Sequence, residues 1–217
     1  MRIAVIGTGN VGRTLAGGFA ARNHEVVIAT RDPGETAARD EYAAWAAAHP
    51  SVELVAFADV SDAEVVANAV GGKVCLEALA QVGAGLDDVV LLDLSNPLDF
   101  SAGYPPSLFV KDDDSLGEQI QRAHPGARVV KSLNTLNFSL MVDPEDKLGE
   151  TTSVFLSGDD EAAKDVVRGL LTEFGHRDVI DLGALSTARG TEMWLPLFMR
   201  VAGALDTLEF NLRIVRS

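Results

Sequence analysis

Six residues near the start constrain this chain more than any others. Gly7-Thr8-Gly9-Asn10-Val11-Gly12 directly follows the β-branched run Arg2–Ile6 and leads into a helical pattern from about Asn10 to Arg22. Each glycine has a physical reason: Gly7 permits the tight turn, Gly9 lets backbone approach a pyrophosphate, and Gly12 lets the new helix pack closely on the strand. The helix N-terminus then offers free N–H groups and its positive dipole end to that anion. Alone the pattern is weak. Between a strand and a helix it predicts a dinucleotide site rather than an empty turn.

The remainder alternates strand and helix signals. Glu25–Ala29, Val52–Phe57, Glu64–Val70, Val89–Leu94, Arg128–Leu133, Ser153–Leu156 and Asp178–Leu182 join Arg2–Ile6 as strand candidates. Most are nearly continuously apolar, as strands covered on both faces must be. Ser115-Leu116-Gly117-Glu118 reads as a capping box, and Asp159 as the cap of a helix running to about Phe174, where Gly175 stops it. The expected fold is α/β: a Rossmann-type, doubly wound, mainly parallel sheet of six parallel strands extended by two more. A length of 217 residues fits one such domain with a small appendage. Residues 1–183 would form the dinucleotide-binding domain. Residues 184–217 would form a helical segment packed on it, with its helix from about Thr191 to Asp206.

Charge narrows the partners. Eighteen Lys and Arg against 32 Asp and Glu leave a net charge of −14, whose field repels nucleic acid and anionic membranes. A lone cysteine, Cys75, cannot form an internal disulfide, which suits a reducing compartment. No apolar run approaches about 18 residues, and the first strand begins without a leader. A cytoplasmic protein is expected.

Cofactor choice is read at the end of the second strand. A site selective for NAD wants a carboxylate there, whereas Thr30 and Arg31 offer a hydroxyl and a guanidinium, which suit a 2′-phosphate. Asp32 is the competing ribose ligand. The pair favours NADP.

Ligands of open parallel sheets lie outside the carboxyl ends of the strands. Those tips read Val70-Gly71-Gly72, Ser95-Asn96-Pro97 and Asn134-Thr135. They can floor a nicotinamide and hydrogen-bond its carboxamide, yet none is a convincing proton donor or nucleophile. His24, His49, His124 and His176 each precede a strand, which assigns all four to the opposite rim. No catalytic acid or base is expected, and Asn134 and Thr135 would act by positioning. Hydride transfer between NADP(H) and a flavin-like second cofactor requires little more than two ring systems held together.

At this point the chain resembles the NADPH-dependent oxidoreductases of the deazaflavin coenzyme F420 and the predicted dinucleotide-binding reductases grouped with them. The resemblance spans Ile6 to Gly12, Thr30-Arg31, Asp93 to Phe100, Val130 to Thr135, Ser157 to Asp160 and Asp181 to Gly183, and is most specific in Ala188-Arg189-Gly190-Thr191-Glu192-Met193-Trp194-Leu195-Pro196-Leu197. It implies that Thr30 and Arg31 bind the 2′-phosphate, and that the acceptor ring lies between the loop after the sixth strand and the C-terminal segment. Asn134-Thr135 stands where the deazaflavin reductases have His-Thr, and Asn-Thr is expected in the flavin-using cytosolic domains of membrane metalloreductases; F420, FMN and FAD are thus all candidate acceptors.

Several residues have two readings. Arg189 and Thr191 either contact the acceptor, or serve as a solvated charge and a helix start. Lys131 is a ligand contact or an edge-strand ammonium reaching water. Asp112-Asp113-Asp114 reads as a solvated loop, and no metal site is expected. The rival functions are a non-catalytic NADP-binding redox sensor and a small-molecule NADP-dependent dehydrogenase. The latter needs a further helical domain of about 100 residues, which the short stretch after Gly183 does not supply. Met193, Trp194, Leu195, Leu197, Phe198 and Val201 crowd more apolar surface than one helix face buries, and predict a homodimer contact.

Overall fold

The computed structural model describes residues 1–217. Strand β1 (Arg2–Ile6) turns through the glycines into helix α1 (Asn10–Ala21), and β2 (Glu25–Thr30) returns beside β1. Two short helices, α2 (Pro33–Ala37) and α3 (Asp40–Ala48), lead to β3 (Glu53–Ala56). Next come β4 (Val65–Asn68), α4 (Gly72–Val82) and β5 (Val90–Asp93), then a small antiparallel hairpin of β6 (Leu98–Asp99) and β7 (Ser107–Leu108). Helix α5 (Leu116–Ala123) precedes β8 (Arg128–Lys131), and α6 (Pro144–Leu148) precedes β9 (Ser153–Gly158). The chain ends with α7 (Glu161–Glu173), β10 (Asp178–Asp181), α8 (Ala188–Met193), α9 (Leu195–Leu205) and a tail.

Eight strands form one sheet in the order β10-β9-β8-β5-β4-β1-β2-β3. The six from β8 to β3 are parallel; β9 runs antiparallel to β8, and β10 is parallel to β9. This is the Rossmann-like α/β fold expected. Side-chain alternation explains the two-layered cover: Ile3 and Val5 join a 26-residue core on the α1 and α7 face. Ala4 and Ile6 join a 21-residue core on the α4 and α5 face. No helix is long and apolar enough to cross a membrane.

The departures from expectation are local and have causes. β4 stops at Asn68 because the Asn68 side chain accepts the Val70 N–H and turns the chain. β8 stops at Lys131 because Leu133 adopts φ +58°, outside the extended region. The cap of α7 is Asp160, which accepts the Ala163 N–H; Asp159 instead accepts the Leu185 N–H and ties down the segment after β10. Ser115 caps α5, but Glu118 bonds the Ser115 hydroxyl rather than its backbone, so only half of the capping box forms. The expected single C-terminal helix is two, because Pro196 opens a new helix in the first turn of α9. Thr191 therefore lies inside α8 and starts neither.

The rim assignment of the histidines stands for His24, His49 and His124, which precede the parallel strands β2, β3 and β8. β10 belongs to the reversed pair, but the turn that carries His176 packs back on the same rim: Glu173 bonds His24 Nε2 at 2.7 Å and Phe174 packs on Phe19. His176 is buried with Nε2 on the Met141 carbonyl, a packing role.

Candidate functional site

The glycine turn is built as a nucleotide cradle. Gly7 holds φ +109°, and a Cβ on Gly12 would lie 1.9 Å from the Gly7 carbonyl oxygen. A Cβ on Gly9 would meet nothing within 4 Å, because that position faces open space over the turn. Gly9 is the N-cap of α1, with no side-chain cap and no acidic residue in the first turn. The N–H groups there remain directed at an incoming anion.

Two adjoining clefts run along the carboxyl ends of the strands. One, of about 370 Å³, gathers Gly7, Thr8, Gly9, Thr30, Arg31, Val70 and Gly71 with Thr36, Arg39 and Phe57. The other, of about 480 Å³, gathers Gly9, Asn10, Val11, Val70, Gly71, Ser95 and Asn96 with Lys73 and Phe100. Gly12 and Pro97 stand behind these walls. Gly12 packs helix on strand, and the Pro97 carbonyl accepts the Phe109 N–H of the hairpin.

At the end of β2 the Thr30 hydroxyl lies 3.0 Å from the Thr36 hydroxyl. Arg31 is exposed, with only a loose contact to Glu77 at 3.7 Å. Asp32 lines the same cleft, and its Oδ1 caps α2 by accepting the Glu35 N–H. Arg39, lining the same cleft, is a second cation that sequence reasoning missed. The signal was available: Asp32-Pro33 is a helix start, and one short helix from it returns the chain to the cleft. Beyond β5, the Lys73 ammonium at 2.6 Å and the Ser101 donors hold the Asp99 carboxyl down to about 2. Cys75 is no nucleophile, because burial, with Asp93 adding, pushes its thiol up to about 11.

Asn134 lies outside both clefts. Its amide donates to the Asn96 side-chain oxygen at 3.0 Å, and the Asn96 amide returns a bond to the Asn134 carbonyl at 2.8 Å. The reciprocal pair joins the tips of β5 and β8. On its far side, Thr135 lines a third hollow of about 230 Å³ with Phe155, Leu182, Gly190, Thr191, Trp194 and Leu212. Trp194 Nε1 donates to the Thr135 carbonyl at 3.3 Å.

Two charged residues were misread. Arg189 neither floats in solvent nor faces this hollow; it grips Glu118 in two bonds of 2.6 and 2.8 Å, which hold the Glu118 carboxyl below its usual range. Lys131 neither reaches water nor lines a cleft. β8 is an inner strand, and Lys131 is 1% exposed between Asp93 and Glu192, each 2.7 Å from Nζ. Asp112 and Asp114 are ordinary surface partners of Lys111 and Arg122.

A doubly wound sheet with a glycine cradle, an N-terminally open helix and a cationic strand tip defines a dinucleotide-dependent oxidoreductase of Rossmann type. Residues 2–97 match the family described as NADP oxidoreductase, coenzyme F420-dependent. The crystal structure of a candidate F420-dependent NADP reductase from Arthrobacter sp. FB24 is 54% identical, covers 100% of both chains and superposes with a TM-score of 0.97. The F420-dependent NADP reductase of Methanothermobacter thermautotrophicus is 27% identical, over 93% of this chain and 89% of that protein. The metalloreductase STEAP3 of Rattus norvegicus is 26% identical over 95% of this chain, which spans only 38% of that protein. The chain belongs to the F420-dependent NADP oxidoreductase family.

Proposed function

We propose that this protein transfers a hydride between NADP(H) and coenzyme F420. The observation that carries the reading is a link between sites: the larger cleft includes Asn96, and Asn96 is bonded to Asn134, next to the Thr135 that lines the third hollow. The α1 N-terminus and Gly7 to Gly12 would hold the pyrophosphate. Thr30, Arg31 and Arg39 would hold the 2′-phosphate, and Val70, Ser95 and Asn96 would floor the nicotinamide. Residues 1–183 would carry NADP, while Gly190, Thr191 and Trp194 from residues 184–217, with Thr135, would flank the acceptor.

The nicotinamide supplies the hydride chemistry, and a deazaflavin carries its own electron sink. The protein's share is orientation and exclusion of water, which accords with the Gly, Ser, Asn and Thr that follow β4, β5 and β8. A flavin is not needed to account for the site. Met193 and Leu197 are exposed on the C-terminal helices, and their burial would be completed in a homodimer. Light scattering should give twice 23.0 kDa; a monomer at micromolar concentration removes the dimer.

The test is NADPH oxidation with F420, FMN, FAD or no acceptor. Turnover with F420 well above the flavins is expected. Tight NADPH binding with no turnover of any acceptor would favour the redox-sensor reading, and turnover of a carbonyl or imine compound instead would favour a small-molecule dehydrogenase.

A further inference from the structure

Beneath the strand tips lies a polar network that the hydride reading does not use. Lys131 Nζ donates to Asp93 Oδ2, to Glu192 Oε1 and to the Ser95 carbonyl, so its three protons are all placed. Asp93 Oδ1 accepts from the Asn68 amide at 2.8 Å, the Ser95 hydroxyl at 2.7 Å and the Ser95 N–H at 3.1 Å. Glu192 stands on the N-terminus of α5, accepting the Leu116 and Gly117 N–H groups at 2.8 and 3.1 Å. Every member is buried, and the network joins β4, β5, β8, α5 and α8.

Stability is a poor reason for such a cluster. Desolvating three charges cancels most of their attraction, and apolar side chains of equal volume would hold the elements together as well. What apolar contacts lack is direction: they tolerate sliding, whereas a lysine with three fixed acceptors sets a separation. The network touches the nucleotide cleft through Ser95, next to Asn96. It touches the C-terminal segment through Glu192, two residues before Trp194. Between Lys131 and Thr135 the chain passes through the buried, positive-φ Leu133, a conformation that surrounding contacts must impose.

We infer that Lys131 and Glu192 are positioning residues whose buried ion pair fixes the wall formed by Thr135 and Trp194 relative to the nicotinamide floor at Ser95 and Asn96. The inference rests on the reading of the two ring sites given above. Burial alone would lower the Lys131 ammonium, but the two carboxylates more than offset it and keep the residue charged above its ordinary value.

Full-length Glu192→Gln tests this, because it keeps size and an oxygen for α5 while removing one charge. The turnover number with NADPH and F420 should fall at least about 10-fold. The Kd for NADPH, titrated without F420, should stay within about threefold, since the nucleotide cradle is untouched. Trp194 reports independently when Trp45, the only other tryptophan, is replaced by Phe. In Glu192→Gln its emission should shift to the red and its quenching by acrylamide should increase. Lowered thermal stability with unchanged turnover, equal losses of NADPH affinity and turnover, or an unmoved Trp194 signal would each overturn the inference. If the parent protein turns over no acceptor, the F420 reading fails, and the Trp194 signal alone decides whether the ion pair holds the wall.

Discussion

The two halves of the proposed ligand rim are made in different ways. The nucleotide half is mainly backbone: a glycine turn, two helix starts and the ends of neighbouring parallel strands, with Thr30, Arg31 and Arg39 added at one end. The acceptor half is assembled from distant side chains on the reversed strand β9, on α8 and on the tail. The Leu212 carbonyl accepts the Ser153 N–H at 2.8 Å, and Arg216 holds Asp178 at 2.6 Å. Backbone cradles are insensitive to most side-chain changes outside their glycines and the cations at the end of β2. A wall held by side chains depends on each of its pins.

The largest expected effect falls on the junction. Lys131→Met leaves Asp93 and Glu192 buried without their cation, and should cost about 3–5 kcal/mol in urea unfolding. Arg31→Ala should cost no measurable stability, because Arg31 is exposed and its one ion pair is loose. Equal stability of the two variants would erase the contrast.

The next effect lies wholly in the nucleotide half. A charge-assisted bond contributes about 1.5–3 kcal/mol, so Arg31→Ala should weaken NADPH roughly 10–150-fold in a binding titration and leave NADH nearly unchanged. Arg39→Ala should act in the same direction. Equal loss for both cofactors would remove the 2′-phosphate assignment.

Gly190→Ala sharpens the comparison from the other side. Its Cβ would meet no atom within 4 Å, and the residue lines the third hollow. The KM for F420 should rise a few-fold while the NADPH Kd stays constant. A change in NADPH affinity alone would place the acceptor elsewhere.

The smallest effect is in pH. Burial lowers His176, and likewise His124, below the ordinary imidazole value. The unfolded chain then takes up the proton more readily, so stability is full above about pH 6.5 and is lost as pH falls through the folded value. In melting curves between about pH 7 and about pH 5, His176→Asn should lose less stability on acidification than the parent. Turnover should depend little on pH between about 6 and 8, because the proposed reaction uses no histidine.

How much of this could be read in advance follows the same division. Gly7, Gly9 and Gly12 are adjacent, and their roles depend on φ and on close backbone approach, so sequence alone predicts the cradle, the doubly wound sheet and the cationic end of β2. Apolar runs likewise reveal eight strands, because burial on both faces leaves a local signature. No local pattern carries the direction of β9 or the partners of Lys131 and Arg189. A charged residue in an apolar strand looks the same whether it meets water, a ligand or two carboxylates. Asp93 and Glu192 reach it only after the strand order and the path of α8 are set. Packing of the whole chain makes that choice, since the energy of a buried charge is decided by neighbours that lie far away along the sequence.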